Sequence, residues 1–282
     1  MLADVARYLS CPHCRAPLAP ADRALHCPAG HSFDIARQGY VNLLRGGTIR
    51  GDTGAMVAAR AAFLAAGHYA PITDALVAAA RAVTTPGCVV DVGAGTGHHL
   101  AAVLDGMPGR EGIALDVSTS AARIAARAHP RASAVIGDAW RRLPVRDNAA
   151  TVVLDVFAPR HGAEIARVLH PHGSLVVVVP TGRHLRELVG PLRLLTVDPE
   201  KEQRLDRTLG PHLRCENTVE REFWLRLDRP AVTALVGMGP SVRHADLDAL
   251  GACIATLPDP LAVTASVAVS TWRHGTAGGR RP

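Results

Sequence analysis

Lysine is almost absent from this sequence of 282 residues: Lys201 is the single one, and all other members of the 31 basic residues are arginine. No apolar run approaches the ~18 residues that a membrane-spanning helix needs, so we predict no contact with a membrane core. The N-terminus lacks a basic region followed by a long apolar stretch, so we predict no signal peptide and expect the protein in the cytoplasm. Six cysteines in that compartment favour free thiols or a metal site over disulfides.

Length and charge narrow the class of protein further. The chain is long enough for one large domain and a small module, and 48% of its residues are hydrophobic, which supports a sizeable core. A net charge of +6 and a pI of about 9.4 favour an anionic partner, with nucleic acid as the first candidate. Charge alone also fits a basic protein without such a partner, and part of the arginine excess reflects the codon usage of a GC-rich genome.

A glycine-rich turn organises the large domain. In the segment 89–99 a short β-branched run reaches Asp91 and then Gly93, Gly95 and Gly97, and an alanine- and leucine-bearing helix follows. The spacing Gly-x-Gly-x-Gly differs from the Gly-x-Gly-x-x-Gly of dinucleotide-binding proteins. Alternate glycines let the backbone approach a ligand, and the N–H groups at the start of the helix point to the same place. The segment therefore predicts a strand, a ligand-binding turn and a helix of a parallel α/β fold.

Two further acidic residues follow the next predicted strands. Asp116 ends the apolar run 112–115, and Asp138 follows the run 134–137. One carboxylate at the tip of the second strand can accept from both hydroxyls of a ribose. Together with Asp91 and the glycine turn, these positions resemble the S-adenosylmethionine site of class I methyltransferases. The alternative is an ordinary tight turn, which occurs in any α/β fold.

The first 36 residues carry a metal-ligand pattern. It is Cys-x2-Cys-x12-Cys-x3-His, formed by Cys11, Cys14, Cys27 and His31. Two paired turns of this kind bring three thiolates and an imidazole to a tetrahedral zinc and leave no open position, so the predicted zinc is structural. So short a segment needs the metal to fold. His13 and His26 are competing ligands that the spacing disfavours.

The rest of the chain follows a doubly wound rhythm. We predict a helix over 54–66 capped by Asp52 or Thr53, a second one ending near Arg81, and a polar helix over 200–209. Strands are predicted at 88–92, 112–115, 133–136, 151–157 and 174–179, with an antiparallel pair at 216–227 and 261–272. The predicted organisation is a zinc-binding module (1–36), a linker (37–53), a class I, Rossmann-like methyltransferase domain (54–274) and a disordered tail (275–282).

Several motifs together resemble the RlmA family of 23S ribosomal RNA guanine-N1 methyltransferases. They are the zinc pattern, Phe33-Asp34, Gly39-Tyr40-Val41-Asn42-Leu43-Leu44, Gly67-His68-Tyr69, 91–97, Phe157-Ala158-Pro159 and Gly182-Arg183-His184-Leu185. The similarity covers most of residues 8–190. The arginine-rich character resembles the actinomycete branch, which includes macrolide-resistance enzymes of tylosin and mycinamicin producers.

The resemblance implies roles for particular residues. Tyr69, Gly95, Thr96 and His184 fall where the family contacts S-adenosylmethionine, and Asp116 matches the aspartate after the second strand. Asp138 matches the general class I pattern better than the family's own. The implied substrate is a hairpin of 23S rRNA, held by the zinc module, with methylation conferring macrolide resistance.

The sequence leaves other matters open. It contains no unambiguous catalytic base, and it does not fix the oligomeric state, for which a homodimer is one answer. There are two rival functions. One is a small-molecule methyltransferase with a zinc appendage, and the other is a zinc-ribbon RNA-binding protein with a vestigial methyltransferase fold. If the two parts divide the work, a chain starting near residue 50 should bind S-adenosylmethionine and fail to methylate RNA.

Overall fold

The computed structural model describes residues 2–47, 49, 51–192, 194, 196, 200–239, 241 and 246–275. Its first part is a small module. It contains helix α1 (Leu2–Val5), a 3-10 turn (Ala6–Tyr8) and strands β1 (Ala19–Ala21), β2 (Ala24–His26) and β3 (Ser32–Asp34). The three strands form an antiparallel sheet in the order β1-β2-β3. Of the tail predicted to be disordered (275–282), residues 276–282 lie outside the described residues.

The large domain is built on an eight-stranded sheet in the order β10-β11-β9-β8-β5-β6-β7-β4. Its strands are β4 (Tyr40–Asn42), β5 (Cys88–Val92), β6 (Gly112–Asp116), β7 (Ala132–Ile136), β8 (Ala150–Val156), β9 (Leu169–Pro180), β10 (Arg214–Leu227) and β11 (Leu261–Arg273). The pairs among β4–β9 are parallel, whereas β11 pairs antiparallel with both β9 and β10. The strand order reverses at β5, and ligands of open α/β sheets bind beyond the carboxyl ends of strands at such a point.

Helices cover the sheet and connect its strands. They are α2 (Gly54–Ala65), α3 (Ala70–Arg81), α4 (His98–Gly106), α5 (Thr119–Ala125), α6 (Gly162–Val168), α7 (Arg186–Leu192), α8 (Lys201–Leu209), α9 (Arg229–Gly237) and α10 (Leu247–Thr256). The side chain of Thr53 accepts a hydrogen bond from the Met56 N–H and so caps α2. Asp52, the alternative cap, forms an ion pair with Arg60 instead. Within the described part of the chain, no helix is both long and apolar enough to cross a bilayer.

The final two strands are antiparallel neighbours, as their alternating sequences predict, but they are not joined by a tight turn. Helices α9 and α10 lie between them in the chain. The connection lets β11 insert between β9 and β10, so that β10 forms the edge of the sheet. This arrangement keeps β11, with its long run of buried residues, in the interior.

The zinc module shares a hydrophobic core with the large domain. Leu9, Leu18 and Leu25 pack in one cluster with Ile113 and Val135 on one face of the sheet. Main-chain hydrogen bonds reinforce the contact, because the Ser10 N–H donates to the Pro144 carbonyl and the Arg146 N–H to the Tyr8 carbonyl. The module is therefore an integral part of the fold.

The segment predicted as a linker (37–53) contributes a strand to the large sheet. β4 pairs in parallel with β7 through Tyr40, Val41 and Asn42, and Val41 is completely buried. A chain that starts near residue 50 would lack this strand and the module that covers the sheet. The expectation that it keeps a working cofactor site is thus at odds with the packing.

Candidate functional site

The three cysteines and the histidine of the predicted metal site converge at one point. The ligand atoms of Cys11, Cys14, Cys27 and His31 all lie within 4.8 Å of one another. The Cys14 and Cys27 sulfurs are 3.5 Å apart, and the Cys27 sulfur is 3.3 Å from the His31 Nδ1. Zinc–sulfur bonds of about 2.3 Å place neighbouring tetrahedral ligands at comparable separations, so the cluster fits a structural zinc.

Local backbone turns create this cluster, and they keep the competing histidines out of it. The Arg15 N–H donates to the Cys11 carbonyl and the Gly30 N–H to the Cys27 carbonyl, which closes the two turns. His13 stacks on Phe33 instead, at 5.9 Å between ring centroids. The His26 ring lies 3.3 Å from the Ser32 hydroxyl.

A cavity of about 410 Å³ lies at the carboxyl ends of β5, β6 and β8, where the strand order reverses. Six of the predicted cofactor-binding residues line it: Tyr69, Asp91, Gly93, Gly95, Asp116 and Asp138. Its size is typical of small-molecule sites, which span roughly 300–1,000 Å³. The fold thus brings together residues that lie as far apart in the sequence as Tyr69 and Asp138.

Glycine is required in the turn for reasons of conformation and space. Gly93, Gly95 and Gly97 all have positive φ, between +54° and +76°. A Cβ on Gly93 would lie 2.6 Å from the Ala158 Cβ, which closes that side of the cavity. A Cβ on Gly97 would press on Ala125 of helix α5 at 3.2 Å. Gly97 therefore serves the packing of α4 on α5 and is not a lining residue of the cavity.

Asp116 holds the turn and still has acceptor capacity. Its Oδ2 accepts from the Gly95 N–H and its Oδ1 from the Ser118 N–H, each at 2.8 Å. Burial raises the pKa of this carboxyl, and the two backbone hydrogen bonds oppose the rise. Each carboxylate oxygen has a second lone pair, so Asp116 can also accept from a ligand diol.

Three carboxyl groups cluster behind the turn. Asp91 is buried at the end of β5, and its burial, reinforced by repulsion from Asp155 and Asp116, raises its pKa to about 8. Asp155 is completely buried at the end of β8 and accepts from Arg160 at 2.8 Å. Such a cluster disfavours further negative charge and favours a cation in the cavity.

Besides Gly97, two predicted residues, Thr96 and His184, lie outside the first cavity. Thr96 is buried on the other side of the turn and lines a shallow groove with Arg123 and Arg127. His184 lines a second cavity, where its Nε2 lies 3.3 Å from the Tyr69 hydroxyl. The Ser266 N–H donates to the His184 Nδ1, which places the ring proton on Nε2 and directs it to Tyr69. His184 thus contacts Tyr69, a residue that lines the first cavity as well as the second.

Asp138 faces the first cavity from the end of β7. It accepts from the Trp140 N–H at 2.9 Å and lies 3.3 Å from the Arg141 guanidinium. The adjacent Trp140 side chain is 66% exposed and lines both the first and the second cavity. Asp138 therefore orients the turn that carries this indole.

The second cavity, of about 710 Å³, adjoins the first. Tyr69, Trp140, Phe157 and Met238 line both cavities. Phe157 has a φ of +54°, a conformation that bulky residues rarely adopt and that is concentrated at functional sites. Its ring lies 6.1 Å from that of Tyr69 and 5.8 Å from that of His184. The aromatic rings form a common wall where two ligands can meet.

Arg60, Met238 and Arg160 are among the lining residues of these cavities that were not predicted from the sequence. Arg60 lines both cavities, pairs with Asp52 and donates to the Met238 carbonyl. Met238 comes from helix α9's C-terminal end, far along the chain from the glycine turn. Arg160 lines the second cavity. The Arg160 position, three residues after Phe157, was the one with a local signal, because it directly follows the Phe-Ala-Pro motif.

The fold and the two sites define a class I, Rossmann-like S-adenosylmethionine-dependent methyltransferase with an N-terminal zinc ribbon. Two family models match, one described as "RlmA, N-terminal" over residues 9–45 and one as "Methyltransferase domain" over residues 89–173. Among solved structures, a methyltransferase in complex with the Haloferax volcanii activator Trm112 has a TM-score of 0.53 at 21% identity, covering 80% of this chain and 99% of that one. A Bacillus halodurans methyltransferase has a TM-score of 0.51 at 15% identity, covering 71% and 99%. These two likenesses concern the fold alone.

Relatives in sequence are closer. The chain is 52% identical to the 23S rRNA (guanine(748)-N(1))-methyltransferase of Streptomyces fradiae, covering 97% of this chain and 99% of the relative. It is also 52% identical, with the same coverage, to a protein of Micromonospora griseorubida named as a 23S rRNA (guanine-N(1)-)-methyltransferase. A Bacillus subtilis protein with the same type of name is 30% identical over 63% of this chain and 66% of its own length. The chain belongs to the RlmA-type family of 23S rRNA (guanine-N1)-methyltransferases.

Proposed function

We propose that this protein transfers a methyl group from S-adenosylmethionine to N1 of a guanine in 23S rRNA, at the position for which the Streptomyces fradiae relative is named, guanine 748. The observation that carries the proposal is the pair of adjoining cavities, because a cofactor in one and a base in the other meet at their shared aromatic wall. A base must leave its stack to reach such a wall.

The residues of the first cavity suit the cofactor. In this proposal Asp116 accepts from the ribose hydroxyls, Gly93 and Gly95 let the backbone approach the ligand, and Asp91 faces its positive charges. S-adenosylmethionine supplies a methyl group already activated on a sulfonium. The protein's task is therefore to position and align the reacting atoms.

The remaining predicted residues act indirectly in this proposal. Asp138 supports the turn that carries Trp140, whereas Thr96 and Gly97 hold helix α4 in place. His184 fixes the hydroxyl of Tyr69 at the junction of the cavities. None of these contacts identifies a group that removes the N1 proton.

Recognition of an rRNA hairpin is the finer part of the proposal. The zinc module exposes Arg15 and Arg23, and the segment after it exposes Arg37 before β4 and Arg45 after β4. Arginines of this kind contact phosphates and set the register of an RNA without reading its bases. The protein would then work in the cytoplasm on ribosomal RNA. Sedimentation of the protein with and without RNA would test whether it forms a homodimer.

Mass mapping of 23S rRNA tests the reaction. RNA from a host that produces the protein should gain one methyl group on the guanine at position 748, and RNA from the same host without it should not. A purified protein that binds S-adenosylmethionine and leaves every rRNA guanine unmodified would contradict the proposal. Methylation of a small molecule instead would favour the rival enzyme.

Macrolide resistance is a consequence that we propose from the family. A methyl group on a guanine edge would crowd a drug site on the ribosome. Production of the protein in a macrolide-sensitive bacterium should raise the inhibitory concentration of tylosin-like drugs. The matched control is the Asp116→Ala variant, which should lower both the fraction of methylated RNA and the rise in inhibitory concentration.

A further inference from the structure

An arginine is fixed in one orientation beside the second cavity. Arg160 donates from Nε and Nη2 to the Oδ1 of Asp155, at 3.2 and 2.8 Å, and from Nη2 to the Ala158 carbonyl at 3.0 Å. Its side chain is only 13% exposed, and Asp155 is completely buried. A guanidinium held by a buried carboxylate and a carbonyl loses little further freedom when it binds a ligand.

One nitrogen of this guanidinium is left for a ligand. Nε and Nη2 are engaged, and among the described residues none accepts a hydrogen bond from Nη1. Arg160 lines the second cavity together with Tyr69, Trp140 and Phe157. The cavity thus combines flat aromatic surfaces with an oriented, positively charged donor next to Phe157, which suits a planar base that carries an acceptor on its edge.

We propose that Arg160 is a catalytic and specificity-determining residue whose Nη1 donates a hydrogen bond to O6 of the target guanine. This inference rests on the proposed function and names the residue that selects its base. Guanine presents an acceptor at O6, and arginine is the usual partner of that edge. Adenine carries an amino donor at the same position and would leave the Arg160 N–H facing another donor. N1 is the ring atom next to the C6 carbonyl, so the contact also orients N1.

The same contact assists the chemistry. During transfer the bond between N1 and the methyl carbon forms, the bond between sulfur and that carbon breaks with its electron pair remaining on sulfur, and the N1 proton passes to solvent water. As the proton leaves, negative charge spreads from N1 onto O6 by conjugation. A fixed positive donor at O6 stabilises that charge where it develops. Arg160 thereby promotes loss of the proton in a site where no residue has been identified as a base.

The test uses two variants of the full-length protein and a 23S rRNA hairpin under single-turnover conditions. Arg160→Gln should slow methylation by about 100- to 1,000-fold, the usual effect of removing one such donor. Calorimetry should show S-adenosylmethionine affinity within about twofold of the wild type. Arg229→Gln is the matched control. It removes an exposed arginine that lines neither cavity and whose ion pair with Asp259 is long, at 3.9 Å. Its rate should be unchanged.

A second variant separates the proposed role from a structural one. Arg160→Gln alone leaves the buried Asp155 carboxylate without its cation, which lowers stability. The double variant Asp155→Asn, Arg160→Gln removes both charges and should recover the thermal midpoint without recovering the rate. Recovery of both stability and rate would overturn the proposal, because Arg160 would then act only on the fold.

A base analogue tests the contact itself. Replacing O6 of the target by sulfur weakens the acceptor, so we measure the ratio of rates on guanine and 6-thioguanine hairpins. This ratio should be at least about tenfold larger for the wild type than for Arg160→Gln, since only the wild type has the bond to lose. Equal ratios would refute the inference while leaving the proposed function intact. A wild-type protein that does not methylate the guanine hairpin would instead refute the proposed function.

Discussion

The buried carboxyl of Asp91 should make cofactor binding depend on pH. Burial, together with repulsion from Asp155 and Asp116, raises the pKa of Asp91 to about 8, so that the neutral form predominates at pH 6 to 7 in the cofactor-free protein. The sulfonium and ammonium groups of S-adenosylmethionine favour the ionised form. Binding should therefore lower this pKa and release a proton.

The size of the effect follows from proton linkage. Where one proton is released per cofactor bound, affinity rises by up to about tenfold for each pH unit. Between pH 6 and pH 8 the Kd should thus fall by roughly 10- to 100-fold. His99 lines the same cavity, but burial lowers its pKa to about 3, so it remains neutral throughout this range. The pKa of His98 is lowered by burial as well.

Stability of the cofactor-free protein should change in the opposite direction. The native-state pKa of Asp91 lies above its unfolded value of about 3.9, so the native state binds more protons between about pH 4 and pH 8. The free energy of unfolding therefore decreases as pH rises through that window. Asp91→Asn cannot ionise and should remove this contribution.

Isothermal titration calorimetry at pH 6 to 8.5, in two buffers with different protonation enthalpies, counts the protons directly. The wild type should release close to one proton near pH 7, and Asp91→Asn close to none. The variant should match the wild type at pH 6 and bind more weakly at pH 8. Identical pH slopes for the two proteins would refute the reasoning and assign the protons to another group.

Three further perturbations test other parts of the structure. Asp116→Ala removes charge-assisted hydrogen bonds worth about 1.5–3 kcal/mol each, so S-adenosylmethionine affinity should fall by about tenfold or more. Unchanged affinity would contradict the assignment of this carboxylate to the ribose. Cys14→Ser should lower the zinc content below one per chain and also lower the thermal midpoint of the whole protein, and metal analysis without zinc in the wild type would rule the site out. Removal of residues 2–45 should abolish a cooperative thermal transition, because β4 is a strand of the sheet and the zinc module packs on one face of it. A truncated protein that melts cooperatively and binds the cofactor would show that the two parts are separable.

Local chemistry is what the sequence by itself determined. The zinc cluster depends on two short turns, and the spacing of Cys11, Cys14, Cys27 and His31 already contains both. The glycine turn likewise needs positive φ within a few residues, which only glycine adopts without strain. The strand and helix rhythm of the large domain follows from hydrophobic periodicity, which reports the buried face of each element in turn.

Partnership between distant elements was decided by the tertiary structure. The three residues of β4 are too few to show a periodicity, and their place at the sheet edge depends on pairing with β7, about 90 residues later. Likewise, Leu9, Leu18 and Leu25 are apolar in either a separate module or a shared core, and only packing on the sheet distinguishes the two.

The candidate site shows the same division. Strand ends could be predicted one by one, and parallel strands bring their carboxyl ends to one edge, so Asp91, Asp116 and Asp138 could be expected close together; all three line the first cavity. Other features depend on which elements meet above the sheet. They are the cavities that Thr96 and His184 line and the ion pair between Asp155 and Arg160. Local spacing fixes which way a residue faces on its own element, whereas its neighbour across space is set by the packing of the whole chain.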